Sequence, residues 1–158
     1  MEIMNVRVDD RLVHSQVAYV WSKHLNLTRI MVVDDGASQD DEMSFALRMS
    51  TPKGIRLSVL SVSDAAKAIE ENDFANDKVM IICKGSKTIT RFLNAVGCIK
   101  EITLGNLRSR DPEAVDYAEN VRLLPEQVEA FHKLMDNGIT ITVQMIPSSE
   151  SYNLNTLI

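Results

Sequence analysis

The sequence predicts an α/β fold: a single open, mostly parallel sheet with helices on both faces. Three observations carry this. The apolar run "RIMVVDD" at 29–35 is too continuous for a strand with one wet side and reads as buried on both faces, as in the interior of a parallel sheet. Strand-like and helix-like segments alternate along most of the chain. The 158 residues suffice for one well-buried core, and no linker, internal repeat or low-complexity tract divides them, so 1–158 reads as one domain.

The elements follow in order. "IMNVRV" (3–8) is β-rich, and "VAYVWSKHL" (17–25) places Val17, Val20, Trp21 and Leu25 at helical spacing. After the strand at 29–35, "SQDDEMSFALRM" (38–49) opens with Ser38 as a cap and three acidic residues, which suit the positive end of a helix dipole. "TPKG" (51–54) breaks the chain. "IRLSVLSV" (55–62) is a strand, "SDAAKAIEEN" (63–72) a helix, "KVMIIC" a strand and "SKTITRFLNAVG" (86–97) a helix. A short strand "EITLG" (101–105) leads into "NLRSRDPEAVDYAEN" (106–120), which has no clear period and reads as an irregular loop. "VRLL" follows, then a helix with Pro125 in its first turn and Gly138 at its C-terminal cap, and a last strand "ITITVQMI" (139–146). Parallel strands in such a fold are joined by right-handed crossovers, and ligands bind at the carboxyl ends of the strands.

Composition narrows the function. The net charge of −5 makes a phosphate-backbone binder a poor reading, since that affinity comes from Lys and Arg displacing counterions. One Trp and three Tyr are too few for a stacking platform on single-stranded nucleic acid. No stretch approaches the roughly 18 apolar residues of a membrane span, and "MEIMNVRVDDR" lacks the basic start and apolar run of a secretory leader, so a cytoplasmic location is expected. Cys83 and Cys98 lack metal-ligand or redox spacing and read as reduced, buried small hydrophobes. His24 and His132 fall at the polar margins of predicted helices and read as solvated.

His14 is different. It occupies "RVDDRLVHSQV", the turn between the first strand and first helix, where unpaired backbone N–H groups point outward and favour an anion. Arg11, in the same turn, offers a planar fork of donors suited to a phosphoryl group. A neutral imidazole is also a competent nucleophile toward phosphorus. Local features leave two readings open. His14 accepts a phosphoryl group held by Arg11 and the helix terminus, or His14 hydrogen-bonds Asp9 or Asp10 to order the turn while Arg11 pairs with the same aspartates.

The string "VRVDDRLVHSQV" resembles the phosphorylation-site signature of the IIB subunits of the mannose/fructose/sorbose family of the phosphoenolpyruvate-dependent sugar phosphotransferase system, usually Asp-Asp/Glu-Arg-Leu/Ile-Ile-His-Gly-Gln-Val. It matches at Asp9, Asp10, Arg11, Leu12, His14, Gln16 and Val17 and departs at Ser15, where the family has glycine. The resemblance extends over residues 5–147, through "RIMVVDD", "KVMIIC", "ITLGNL" and "VRLLPEQVEAFHKLMDNGITITVQMIP", and the length fits a stand-alone IIB domain.

The resemblance implies a mannose-family IIB fold and a phosphoryl carrier. His14 would accept a phosphoryl group from a histidine of a IIA partner and pass it to a sugar held by membrane IIC and IID subunits, with Arg11 steadying the charge. Asp10, Ser15 and Gln16 would support or bind the phosphoryl group. Ser15 is expected to cap the helix with its hydroxyl. The route needs positioning more than acid or base chemistry, and no metal or other cofactor. Lys84, Lys87, Arg108 and Arg110, after the fourth and fifth strands, would form a cationic rim that steers an acidic partner, and Gly105 and Asn106 would shape their loop. The domain would associate peripherally with the transporter; self-association is left open. Two other readings remain: a IIB-like regulator switched by phosphorylation, with Ser15 as its sequence support, and an aspartyl-phosphate receiver using Asp34, Asp35 and Lys84, disfavoured because the third strand ends without an acceptor aspartate.

Overall fold

A computed structural model describes all of residues 1–158. It contains β1 (Glu2–Asp9), α1 (Ser15–Leu25), β2 (Arg29–Val33), α2 (Asp35–Ser38), α3 (Asp41–Ser50), β3 (Arg56–Leu60), α4 (Val62–Glu70), β4 (Lys78–Cys83), α5 (Ser86–Val96), β5 (Glu101–Arg108), β6 (Val115–Ala118), β7 (Val121–Leu123), α6 (Pro125–Asp136), β8 (Thr140–Val143) and β9 (Tyr152–Asn153), closed by a 3-10 turn at Leu154–Thr156. The strands order as β3-β2-β4-β1-β5-β7-β6, with β8 also paired to β5 and β9 to β8. All pairings from β3 to β8 through β5 are parallel; β6 with β7 and β8 with β9 are antiparallel. The expected open, mostly parallel sheet is therefore present.

Side-chain alternation explains the two helical layers. In β2 and β4, Met31, Val33, Val79, Ile81 and Cys83 point into one core with Val6 and Val8 of β1, where α4, α5 and α6 contribute Ala65, Phe92 and Phe131. Ile30, Val32, Met80 and Ile82 point into the opposite core, covered by Val17, Ala18 and Trp21 of α1 and Leu47 of α3. This two-sided burial is why β2 and β4 read as unbroken apolar runs.

Four expectations change. Residues 106–120 are not one irregular loop: β5 runs on to Arg108, and β6 and β7 form a hairpin against it. The hairpin escapes a hydrophobic-period reading because β6 is largely exposed and only Val121 and Leu123 of the three-residue β7 enter the core; at its surface Asp116 of β6 pairs with Arg108 of β5 at 3.1 Å and with Arg122 of β7 at 3.0 Å. Ser38 does not cap the third-strand crossover helix. It ends the short α2, and Asp40 caps α3 by accepting from the Met43 N–H at 3.0 Å. Cys98 is exposed, because it follows Gly97, which ends α5 in the left-handed region at φ +72°, and so falls outside both layers; Cys83 is buried as expected. The last strand stops at Val143, and the carbonyls of Gln144 and Met145 turn to the side chain of Arg7 instead of a neighbouring strand.

The topology places the site. From β1 the chain crosses toward β2 and β3, and from β5 it crosses the other way to β8, so the connections diverge between the adjacent carboxyl ends of β1 and β5. Open α/β sheets bind ligands at such a divergence. The turn carrying His14 leaves β1 there.

Candidate functional site

The turn from Asp10 to His14 is tied down by the carboxylates before it. Asp9 is fully buried. Its Oδ1 accepts from the Arg11 backbone N–H at 3.1 Å and from Arg11 Nε at 3.0 Å, while Oδ2 accepts from Arg11 Nη2 at 2.9 Å. Asp10 reaches across to β5: Oδ1 accepts from Asn106 Nδ2 at 2.8 Å and Oδ2 from the Arg108 N–H at 3.0 Å, and the Asp10 N–H donates to the Asn106 carbonyl at 2.9 Å. The Leu12 N–H then closes back onto the Asp9 carbonyl at 3.0 Å. That closure puts Leu12 at φ +60°, a left-handed conformation costing a non-glycine residue about 1 kcal/mol or more. Burial of the Leu12 and Val13 side chains in the α1 core offsets it.

His14 emerges from this turn as the N-cap residue of α1, with extended backbone (φ −105°, ψ 118°), and its carbonyl accepts the first helical N–H, from Ala18, at 2.8 Å. No side chain caps the helix and its first turn holds no acidic residue. The positive end of α1 is therefore not neutralised, which suits an incoming anion. The imidazole is half-buried. Its Nδ1 is enclosed and has no hydrogen-bond partner, whereas Nε2 makes no hydrogen bond and is not enclosed. An orphaned buried nitrogen in a native fold calls for a catalytic or ligand-binding explanation. The ring bonds neither Asp9 nor Asp10, so the turn-ordering role offered for it in the local reading is not what it does; the pairing of Arg11 with Asp9 in that reading is present.

Ser15, expected to cap α1, is instead its first residue, exposed and with helical backbone; the cap position belongs to His14. Gln16 lies beside it in the exposed first turn. Gly105 and Asn106 do shape the loop: Asn106 holds Asp10, and Gly105 makes room for Arg7.

Arg108 and Arg110 line an open cleft of about 890 Å3 together with Asp10, Arg11, Asn106, Ser109 and Arg122, without a single apolar residue. Of the four arginines, Arg11 is paired with Asp9 and Arg108 and Arg122 share Asp116, so Arg110 is the one without an ion-pair partner. Lys84 and Lys87 are exposed at the end of β4 and the start of α5, outside the cleft. Asp34 and Asp35 are engaged structurally. Asp34 caps α2 through the Ala37 N–H at 2.8 Å, and Asp35 accepts from the Val62 N–H at 2.9 Å and Arg91 at 2.7 Å. No group of three or more His, Cys, Asp or Glu side chains is placed to hold a metal ion.

Sequence reasoning missed Arg7, Trp21 and Met145 beneath the site. Arg7 Nη1 and Nη2 donate to the Gln144 and Met145 carbonyls at 3.0 and 2.8 Å, Trp21 Nε1 donates to the same Met145 carbonyl at 3.0 Å, and Met145 Sδ lies 3.6 Å from Arg11 Nη2. Burial pulls the Arg7 guanidinium down to about 10, partly offset by Asp9, which still leaves it charged at neutral pH. The Asp9 hydrogen bonds push Arg11 up. The available signal was the spacing: Arg7 and Asp9, two apart in a strand, share a face.

Residues 3–158 match the family described as the PTS system sorbose subfamily IIB component. The chain belongs to this family. This IIB component is similar to a probable phosphotransferase enzyme IIB component of Streptococcus pyogenes serotype M6, at 28% identity over 99% of both chains. It is 28% identical over its whole length to the mannose-specific EIIAB component of Escherichia coli K12 and spans 49% of that longer protein. Among solved structures it resembles the IIBSor domain of the sorbose permease from Klebsiella pneumoniae, with a TM-score of 0.88, 26% identity and coverage of 98% and 94% of the two chains. As a IIB component it is a phosphotransferase. No helix in it is long and apolar enough to cross a membrane.

Proposed function

We propose that this IIB component relays a phosphoryl group on His14, accepting it from a IIA protein and delivering it to a sugar passing through membrane IIC and IID subunits. The observation that carries the reading is the imidazole itself: half-buried at the uncapped N-terminus of α1, with one ring nitrogen open and the other without a partner. In the first step a neutral ring nitrogen of His14 forms an N–P bond as the N–P bond to the donor histidine breaks. In the second a sugar hydroxyl oxygen forms the P–O bond as the His14 N–P bond breaks, and the hydroxyl proton passes to the departing imidazole, which leaves as the neutral ring. Charge on the equatorial oxygens is met by the α1 N–H groups and by Arg11, which Asp9 holds at the edge of the arginine cleft. Asp10 acts indirectly, fixing the turn to β5. Arg108 and Arg110 supply field for the approach of an acidic partner. The E. coli relative whose name joins A and B components supports the IIA donor, and docking on such a transporter would hold the protein at the cytoplasmic membrane surface.

Ser15 makes no contact that would turn the site into a regulator, so transport is the reading favoured here. The test is incubation with phosphoenolpyruvate, the general phosphotransferase proteins and a cognate IIA, with the modified residue located by mass spectrometry under non-acidic conditions. The parent chain labels on the peptide containing His14, and His14→Ala does not label. Undiminished labelling of His14→Ala would eliminate the proposed acceptor.

A further inference from the structure

Arg7 is the largest fully buried side chain in the protein, a charged group placed two residues before the carboxyl end of a central strand. Its neighbours in β1, Val6 and Val8, face the α4–α6 core, so Arg7 faces α1 and lies over the ring of Trp21, with Cζ 5.6 Å from the ring centroid. Both terminal nitrogens are spent on the Gln144 and Met145 carbonyls. Its Nε has no hydrogen-bond partner and stands 3.5 Å from Asp9 Oδ2, the oxygen that also receives Arg11 Nη2. Asp9 is thus shared between two guanidinium groups. The trio carries one net positive charge directly behind the turn of His14.

Gly105 of β5 is fitted to this arrangement. A Cβ there would fall 2.1 Å from Arg7 Cζ, and the glycine's φ is not in the left-handed region, so space for the guanidinium, not backbone freedom, is what the position requires. Met145 links the pair a second way, holding Arg7 with its carbonyl and touching Arg11 with its sulfur.

We propose that Arg7 is a positioning residue for phosphoryl transfer: through Asp9 and Met145 it sets the orientation of Arg11 toward the phosphorylated imidazole. This rests on the relay through His14. A purely structural Arg7 would hold the segment after β8 in place and leave Arg11 alone.

The test uses Arg7→Met, which keeps length and loses charge, and Gly105→Ala, which keeps every charge and pushes the guanidinium off the Gln144 and Met145 carbonyls. Met145→Leu, which removes only the sulfur link to Arg11, is a third arm that leaves Arg7 in place and is read by the resonance alone. Three readouts are taken. The first is the Arg11 15Nε–1H resonance of the unphosphorylated protein, which moves in all three variants irrespective of which residue carries phosphorus. The second is the rate of transfer from phosphorylated IIA, corrected for folded fraction, expected to fall about 10- to 100-fold, the usual scale for a displaced charge clamp. The third is the same rate for Arg11→Ala and for the double variant with Gly105→Ala. Because Arg7 acts through Arg11, the double variant is no slower than Arg11→Ala alone. An unmoved Arg11 resonance in Gly105→Ala or Met145→Leu, or rate losses that add fully in the double variant, would overturn the proposal. Labelling retained in His14→Ala would overturn the relay instead, and the resonance shift would still report on the Arg7–Arg11 link.

Discussion

Asp9 grips Arg11 three times, through the backbone N–H and through two guanidinium nitrogens at 3.0 and 2.9 Å, and it does so from full burial. The geometry of the turn is therefore set from below, by a carboxylate no partner protein can reach.

Replacing that carboxylate with an amide of the same size leaves Arg7 buried without its counter-ion and Arg11 without its brace. Asp9→Asn is expected to destabilise the protein by about 3 to 5 kcal/mol, as breaking a buried ion pair from one side does. Urea unfolding of the parent and variant measures it. A variant matching the parent would show that the backbone alone holds the turn.

Ser15 stands where the resembled signature has glycine, yet it is exposed, helical and makes no side-chain hydrogen bond. Ser15→Gly therefore leaves the transfer rate unchanged and costs no more than about 1 kcal/mol of stability, the penalty of glycine in a helix. A several-fold faster Ser15→Gly variant would instead mean that the hydroxyl obstructs the partner.

Away from the site, Asp77 closes the amino-terminal edge of the sheet. It accepts from Arg29 Nε at 2.8 Å and Thr28 Oγ1 at 2.9 Å, with Arg56 at 3.5 Å, and the Arg29 hydrogen bond chiefly holds its carboxyl below the ordinary carboxylate value. The folded state thus binds this proton less readily than the unfolded chain. Its contribution is complete above the unfolded value of about 3.9 and is lost as pH falls through the lower folded value. The stability difference between the parent and Asp77→Asn should be full at pH 6 and shrink steadily below about pH 4, as read from denaturant midpoints across that range. A difference independent of pH would remove the carboxylate from the explanation.

The two cysteines separate by exposure. Burial pushes the Cys83 thiol up, with the Asp34 charge adding to it, while Cys98 is open to solvent. A thiol reagent should therefore modify one group rapidly in the native protein, that group should vanish in Cys98→Ser, and Cys83 should react only on unfolding. Two fast thiols would contradict the placement of Cys83.

What the sequence made legible follows from how each element is held. β2 and β4 are read correctly because both faces are apolar, and α6 because Pro125 and Gly138 mark its ends, Gly138 at φ +88° just beyond it. The β6–β7 hairpin was opaque because β6 is mostly exposed and β7 puts only Val121 and Leu123 into the core, too short a stretch to show a period. At the site, the turn of Asp10, Arg11 and His14 was legible as a local string. Arg7 was not, because an arginine in a strand is ordinarily taken for a surface residue, and only the return of Gln144 and Met145 reveals what it holds. Arg122 joined the cleft for the same kind of reason: β7 takes up pairing with β5 where β8 leaves off.

β1 lies between two parallel neighbours, β4 along nearly its whole length and β5 over its final third, and His14 follows it by only a few residues. Amides of Val6 and Val8 should consequently rank with the slowest to exchange, and the reactive end inherits that stiffness. A visiting protein would meet a surface already in shape, spending little ordering entropy on each encounter. On the relay proposed above, in which the protein docks in turn with a donor and an acceptor, rigidity at the handover point would favour brief, repeatable meetings over long-lived complexes.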